Sequence, residues 1–418
     1  MTLAEHNNTT ASTFRMPRGG ANERVRTMAF HIIVLLSMLT HTSFKGSKVL
    51  VSLYALELGA SPVAIGALFS VYSIFPVLLS LYAGKLSDRY GYRLPMVFGA
   101  CGLALGLLLP FLLPRLPALY FSAGLIGFCY IFYVVSVQHL VGSIGEGTAR
   151  TKNYSLFSLG IGATALFGPM IAGFCIDLIG HRATYLLFAC LPAVPAVVLF
   201  FNRSLFPSRH AERTDKSQHR VADLLADVPL RRALITAAII ETGLELFNFY
   251  LPIYAHGRGF SATQIGILMG AFAAALLLVR VLMPHLAQRT SEERVLSVTL
   301  MLGAGTCMLF PLVESFALLF SLSFLLGLGL GCGSPLSMVL AYNRSPPGRS
   351  GEAIGLRQTA NKVTEVFVPL VFGSLGTAFG IAPVFWADAL MLAVGGYIMN
   401  RDARGVAAKM PVQGGDRG

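Results

Sequence analysis

The sequence predicts an all-α membrane protein of about twelve transmembrane helices, arranged as two pseudo-symmetric six-helix bundles. Three observations carry this prediction. Apolar stretches of about 20 residues recur along the chain, each long enough to cross roughly 30 Å of hydrocarbon. Of the 418 residues 55% are hydrophobic and 12% charged, with a mean hydropathy of +0.67. A soluble chain usually carries about twice that share of charge. The third is an internal repeat at an offset of 200 positions, as between Gly127 and Gly327. In lipid the backbone must bond within its own segment, so long apolar runs imply helices. The residue alternation of a transmembrane barrel is absent.

A polar tail, 1–26, shows no signal-peptide pattern, and the first span is 27–56. Spans 61–86, 94–114, 117–141, 151–179 and 183–202 complete the first bundle, 27–202. The polar stretch 203–229 then reads as a linker, with Arg203, Arg209, Arg213, Lys216 and Arg220. Val221, Leu224, Leu225 and Val228 suit either a surface amphipathic helix or a plain solvated linker. The second bundle, 230–401, holds spans 230–256, 261–286, 294–313, 316–342, 351–380 and 382–400, before a tail at 402–418. Short connections make successive spans antiparallel.

The net charge of +12 raises the possibility of nucleic-acid binding, but the placement of the charges argues against it. Of 32 Lys and Arg, about 24 fall in tails and loops on one side and about 3 on the other, Arg115, Arg182 and Arg258. Such asymmetry puts both termini in the cytoplasm. The six cysteines all lie in apolar spans without metal or redox spacing. No phosphate-binding loop or metal cluster appears, so neither an enzyme, a metal, a cofactor nor ATP as energy source is expected.

The repeat has several members. Ser61-Pro-Val-Ala-Ile65-Gly66 aligns with Ser261-Ala-Thr-Gln-Ile265-Gly266. Pro169, Gly173 and Gly180 align with Pro369, Gly373 and Gly380. Parallel six-helix repeats are an arrangement used by secondary transporters, whose bundles rock about a central site.

The loop after the second span reads Gly84-Lys-Leu-Ser-Asp88-Arg89-Tyr-Gly91-Tyr-Arg93. This resembles the loop signature of the major facilitator superfamily, G-x-L-a-D-r-x-G-r-k, and departs from it at Tyr92. The resemblance implies a gate in which Gly84 lets helices approach closely and Asp88 pairs with cations or a helix N-terminus. The equivalent stretch of the second half, Pro284 to Arg289, lacks the Gly and the Asp. In the fifth span Gly168-Pro169-Met-Ile-Ala172-Gly173 resembles the helix-shaping motif of drug and metabolite antiporters in that superfamily. Thr164 and Ala172 replace two of its glycines, and the fourth span has Ser122 and Ala123 where many proton-coupled exporters carry an Arg.

Ionisable groups at membrane depth are costly and therefore candidates for function. His41, Lys45 and Lys48 fall on one stripe of the first span, and Glu241, Glu245 and Asn248 fall on the matching stripe of the seventh. The family resemblance puts both helices along a central cavity. Glu241, Glu245, His41 and Glu365 are candidates for proton coupling. Lys45, Lys48, Asn248, Asn361, Lys362, Tyr130 and Tyr133 are candidates for the substrate cavity. A static ion-pair network, or a self-neutralising Lys362–Glu365 pair, is the competing account. Arg357 lies near the cytoplasmic end of its span and is suited to snorkel. Arg280 and Asp388 are lone charges, Gln138 and His139 read as hydrated polar groups, and Asp177 reads as interfacial.

Three functions fit. The first is proton-driven export of a small organic molecule (a drug, siderophore or other metabolite) by a monomer in a bacterial inner membrane. The second is proton-coupled import of a small anionic solute. The third is a receptor or regulator with the same fold, disfavoured by the lack of a soluble stretch long enough to fold.

Overall fold

The computed structural model describes residues 20–143, 147–202, 226–289, 291–346 and 350–407. In the first half, α1 is Gly20–Glu57, α2 Pro62–Tyr90, α3 Arg93–Leu112 and α4 Leu116–Ser143. The segment Gly147–Phe201 is two helices, α5 (147–179) and α6 (181–201), joined at Gly180 with φ 77°. In the second half, α7 is Val228–Gly257, α8 Ala262–Arg289, α9 Glu292–Leu309, α10 Phe316–Gly331, α11 Gly333–Asn343, α12 Ser350–Phe379 and α13 Ile381–Ala407. No strand occurs among the described residues.

Local chemistry sets several boundaries. Ser61 caps α2 by accepting from the Ala64 N–H, and Pro62 occupies the first turn, where a missing donor costs nothing. Asp227 caps α7 by accepting from Leu230 N–H at 2.8 Å, so Val228 opens this helix. The three residues Val221, Leu224 and Leu225 lie outside the described residues. The turns at Gly180 and Gly380 both hold φ near +80°, a region only glycine enters freely, and that explains this pair in the repeat.

The expected span 316–342 is present as 316–343, made of α10 and α11, which meet at Cys332, a residue whose own φ −73° and ψ −18° are helical. Pro335 has no N–H to return to the Gly331 carbonyl, and Gly327, Gly329, Gly331 and Gly333 add little rigidity around it. The bare faces of Gly327 and Gly331 also let α10 press against α8 at Phe272 and Leu276. With α10 and α11 as one crossing and α5 and α6 as two, the helices make twelve crossings among the described residues. An even number leaves Gly20 and Ala407 on the same side.

Within the first half α1 lies against the α5–α6 segment, α2 against α4, and α3 against α4. Arg93 and Arg182 also tie α6 to α3. The halves meet chiefly along two helix pairs, α2 with α12 and α5 with α8, with a lesser contact of α1 with α7. The outer surface is strongly apolar: Phe121 is 74% exposed, Leu178 65% and Leu390 67%. A belt of such residues around the bundle requires a hydrocarbon surround.

Candidate functional site

A cavity of about 440 Å³ lies on the seam between the halves. His41, Lys45 and Lys48 enter it from α1, and Glu241, Glu245 and Asn248 from α7. Helix α5 contributes Phe157, Ile161 and Pro169, and α8 contributes Met269, Phe272 and Arg280. The basic and acidic stripes expected from the sequence therefore do face one space. The i, i+4, i+7 spacing that put each set on one helical face is what brings them together.

Contacts in and around the cavity are specific, and the first of them crosses the seam. Lys48 Nζ donates to Glu245 Oε2 at 3.4 Å and sits 5.6 Å from the centre of the Phe69 ring. Asn361, on α12, donates through Nδ2 to Glu241 Oε2 at 2.9 Å. Lys362 and Glu365 form a local ion pair on α12. Asn248 turns its Nδ2 back to the Leu244 carbonyl at 2.8 Å. His41 Nδ1 is 2.8 Å from the Ser37 carbonyl; a carbonyl accepts only, so this nitrogen carries the proton.

Several expectations change. Tyr130 and Tyr133 do not line the cavity. Tyr133 is fully buried and donates to Ser37 Oγ at 3.3 Å, while Tyr130 stacks on Phe44 at 3.7 Å. Both pack edge-on against His41 and hold its ring. Arg357 does not snorkel: it is 2% exposed and donates to Ser337 Oγ, the Ser334 carbonyl and Ser334 Oγ, tying α12 to α11. Gln138, read as merely hydrated, lines the cavity, as does Arg280. Asp388 is buried beside Cys307, which donates at 3.4 Å, away from the cavity.

The loop after α2 is only partly described. Gly91 ends the helix with φ 79°, and the Arg89 guanidinium lies 5.3 Å from the Tyr90 ring. Arg93 donates to the carbonyls of Leu199 and Phe200, capping the C-terminus of α6, where a cation is favoured by the helix dipole. Gly84 does not bring helices together here: among the described residues nothing lies within 4 Å of where its Cβ would be. The Asp88 side chain lies outside the described residues.

Close approach is found instead at the end of the bundle far from the termini. A Cβ at Gly168 would sit 2.9 Å from the Thr42 carbonyl, so α5 rides directly on α1. A Cβ at Gly266 would sit 2.7 Å from the Pro169 carbonyl, and one at Gly66 would strike the Pro369 carbonyl. Gly173 is pressed against Ala262, and Gly373 against Pro62. Asp177 is more than interfacial: its carboxylate accepts from the N–H groups of Ala262 (3.1 Å) and Thr263 (2.7 Å), capping α8 from the other half. Thr377 Oγ1 likewise accepts from Val63 N–H at 3.1 Å at the start of α2. These contacts seal the far end of the seam. The cavity runs from Pro169 at this seal toward Gln138 and Arg280, nearer the side of the termini.

The sequence pattern of the Major Facilitator Superfamily matches residues 33–313 and 233–408. The chain belongs to the Major Facilitator Superfamily. It is 26% identical over 336 residues to Multidrug resistance protein MdtG of Proteus mirabilis (strain HI4320), covering 78% of this chain and 82% of that one. It is 23% identical over 345 residues to the uncharacterized MFS-type transporter YuxJ of Bacillus subtilis (strain 168), covering 79% and 86%. A bacterial homolog of the human lysosomal transporter Spinster, in an inward-facing and unoccupied conformation, superposes with a TM-score of 0.77 at 11% identity, over 93% of this chain and 99% of that one. A POT family transporter in complex with 5-aminolevulinic acid gives 0.75 at 16% identity, over 90% and 96%. The chain is thus a membrane transporter of the Major Facilitator Superfamily, and its fold is shared across the superfamily at low identity.

Proposed function

We propose that this transporter moves a small organic molecule by proton-coupled alternating access, as a monomer in a bacterial inner membrane with both termini cytoplasmic. The units that rock are 27–202 and 230–401, joined by 203–229 and flanked by tails at 1–26 and 402–418. One observation carries the reading: the cavity's two carboxylates, Glu241 and Glu245, are each held by a group on a different helix, Asn361 on α12 and Lys48 on α1. Protonating Glu245 removes an ion pair that spans the halves, so a proton alters how strongly they are held together. Asp88, Arg89, Gly91 and Arg93 are the proposed gate on the side of the termini, and Gly168, Pro169 and Gly173 set the path of α5.

Export is the direction favoured by relatives named for multidrug resistance. Uptake of an anionic solute is the second reading, favoured by the cations Lys45 and Arg280 in the cavity. Metabolite profiling of cells and medium, with and without the gene, separates them. Export predicts a compound that accumulates inside the deletion strain and returns to the medium on complementation. Uptake predicts a compound left unconsumed in the deletion strain's medium. Complementation by Glu241→Gln and Glu245→Gln variants that restores full gradient-driven movement would remove both carboxylates as couplers.

A further inference from the structure

The charges of the cavity do not balance. Glu245 is engaged by Lys48, Glu241 by the Asn361 amide, and Lys362 by Glu365. Lys45 and Arg280 line the same space, yet among the described residues neither makes a hydrogen bond or ion pair. They come from opposite halves, Lys45 from α1 and Arg280 from α8. With both glutamates ionised, the lining carries Lys45, Lys48 and Arg280 against Glu241 and Glu245, an excess of one cation that each bound proton enlarges.

Lys45 feels Glu245 and Glu365 through space but is bonded to neither, and Arg280, exposed near the end of its span, has no acidic partner among the described residues. Two cations so incompletely compensated, facing one cavity, mark a place where charge is supplied from outside. A guanidinium presents a fork of donors that matches a carboxylate or phosphonate, and an ammonium adds a point charge. Phe157, Met269 and Phe272 supply an apolar wall beside them. We infer that the substrate is an organic anion with an apolar body, its acidic group held between Lys45 of the first half and Arg280 of the second. The inference rests on the cavity being the transport site.

The pairing of Lys48 gives the clamp a sign. An anion in the cavity competes with Glu245 for Lys48, and a proton on Glu245 releases that lysine. Proton and anion therefore strengthen each other's binding, reciprocally. This sign favours movement of the two together, and so the uptake reading over exchange.

Three probes share one ring system and differ in charge: 2-naphthoate, 2-naphthamide and 2-naphthamidine. Each is added to the full-length protein in lipid nanodiscs, and the shift in unfolding midpoint is converted to affinity. The expected result is stabilisation by naphthoate alone. Lys45→Gln and Arg280→Gln should each weaken it at least about tenfold, the scale of one lost charge-assisted contact. Lys45→Arg should retain binding and Glu245→Gln should tighten it. Ligand-free midpoints and monodisperse elution identify variants that are folded. The inference is overturned if naphthamidine stabilises as well as naphthoate, if no probe shifts the midpoint, or if naphthoate still binds a folded Lys45→Gln/Arg280→Gln variant. A naphthamidine shift that vanishes in Glu241→Gln would sink the anion but keep the cavity as the site.

Discussion

Lys48 and Glu245 are each only about one-tenth exposed, so each is the other's main compensation for lost hydration. Removing one partner of such a pair typically costs about 3–5 kcal/mol when it is fully buried, less beside a water-filled cavity. Lys48→Ala is therefore expected to lower the unfolding midpoint at neutral pH, and Lys48→Ala/Glu245→Gln to recover part of the loss, as read by thermal unfolding in nanodiscs. A recovery of zero would mean the pair is not coupled. The charges at this site were legible in the sequence because they break an apolar background at helical spacing. What spacing could not show was partnership between helices: nothing in the string links Asn361 on α12 to Glu241 on α7 at 2.9 Å, or Lys48 to Glu245 across the halves. Tyr130 and Tyr133 misled for the opposite reason, since a tyrosine in a span looks the same whether it lines a space or props up His41.

At the level of helices, Gly and Pro decide where α2, α5, α8 and α12 touch. Gly266→Leu places a side chain where the Pro169 carbonyl already lies, and neither backbone can yield without parting α8 from α5. This variant is expected to open the far end of the seam. A cysteine at position 248 should then react faster with a membrane-impermeant maleimide added from that side. Unchanged labelling would show that the seal tolerates the bulk. The aligned glycines were visible in the sequence as matches 200 positions apart (Gly66 and Gly266), but their contacts were not, because each meets a residue of the other half. The span 316–342 was legible from hydropathy, whereas the step between α10 and α11 at Cys332 within it was not, since uniform hydropathy carries no sign of it.

Across the whole molecule the far-side seal has two added locks, Asp177 on the start of α8 and Thr377 on the start of α2. A cap of this kind contributes about 1 kcal/mol, or roughly a fivefold shift in a two-state ratio. Asp177→Asn and Thr377→Val are each expected to raise the population open on that side by about this factor. Spin labels on the 57–61 and 257–261 turns would read it as a longer distance component, and an unchanged distribution would exclude a role in closure. These locks sit at equivalent positions, 177 and 377, and act on equivalent positions, 263 and 63. The glycine contacts obey the same exchange: Gly66 meets Pro369 while Gly266 meets Pro169. Such a surface is self-complementary in the manner of a twofold homodimer, where patch i meets j and j meets i. The peptide connection between the halves then adds nearness and no geometry. Residues 1–215 and 216–418, expressed as separate polypeptides in one membrane, should find each other and restore activity. Failure of the two to co-purify would mean the covalent tether does more than raise their local concentration.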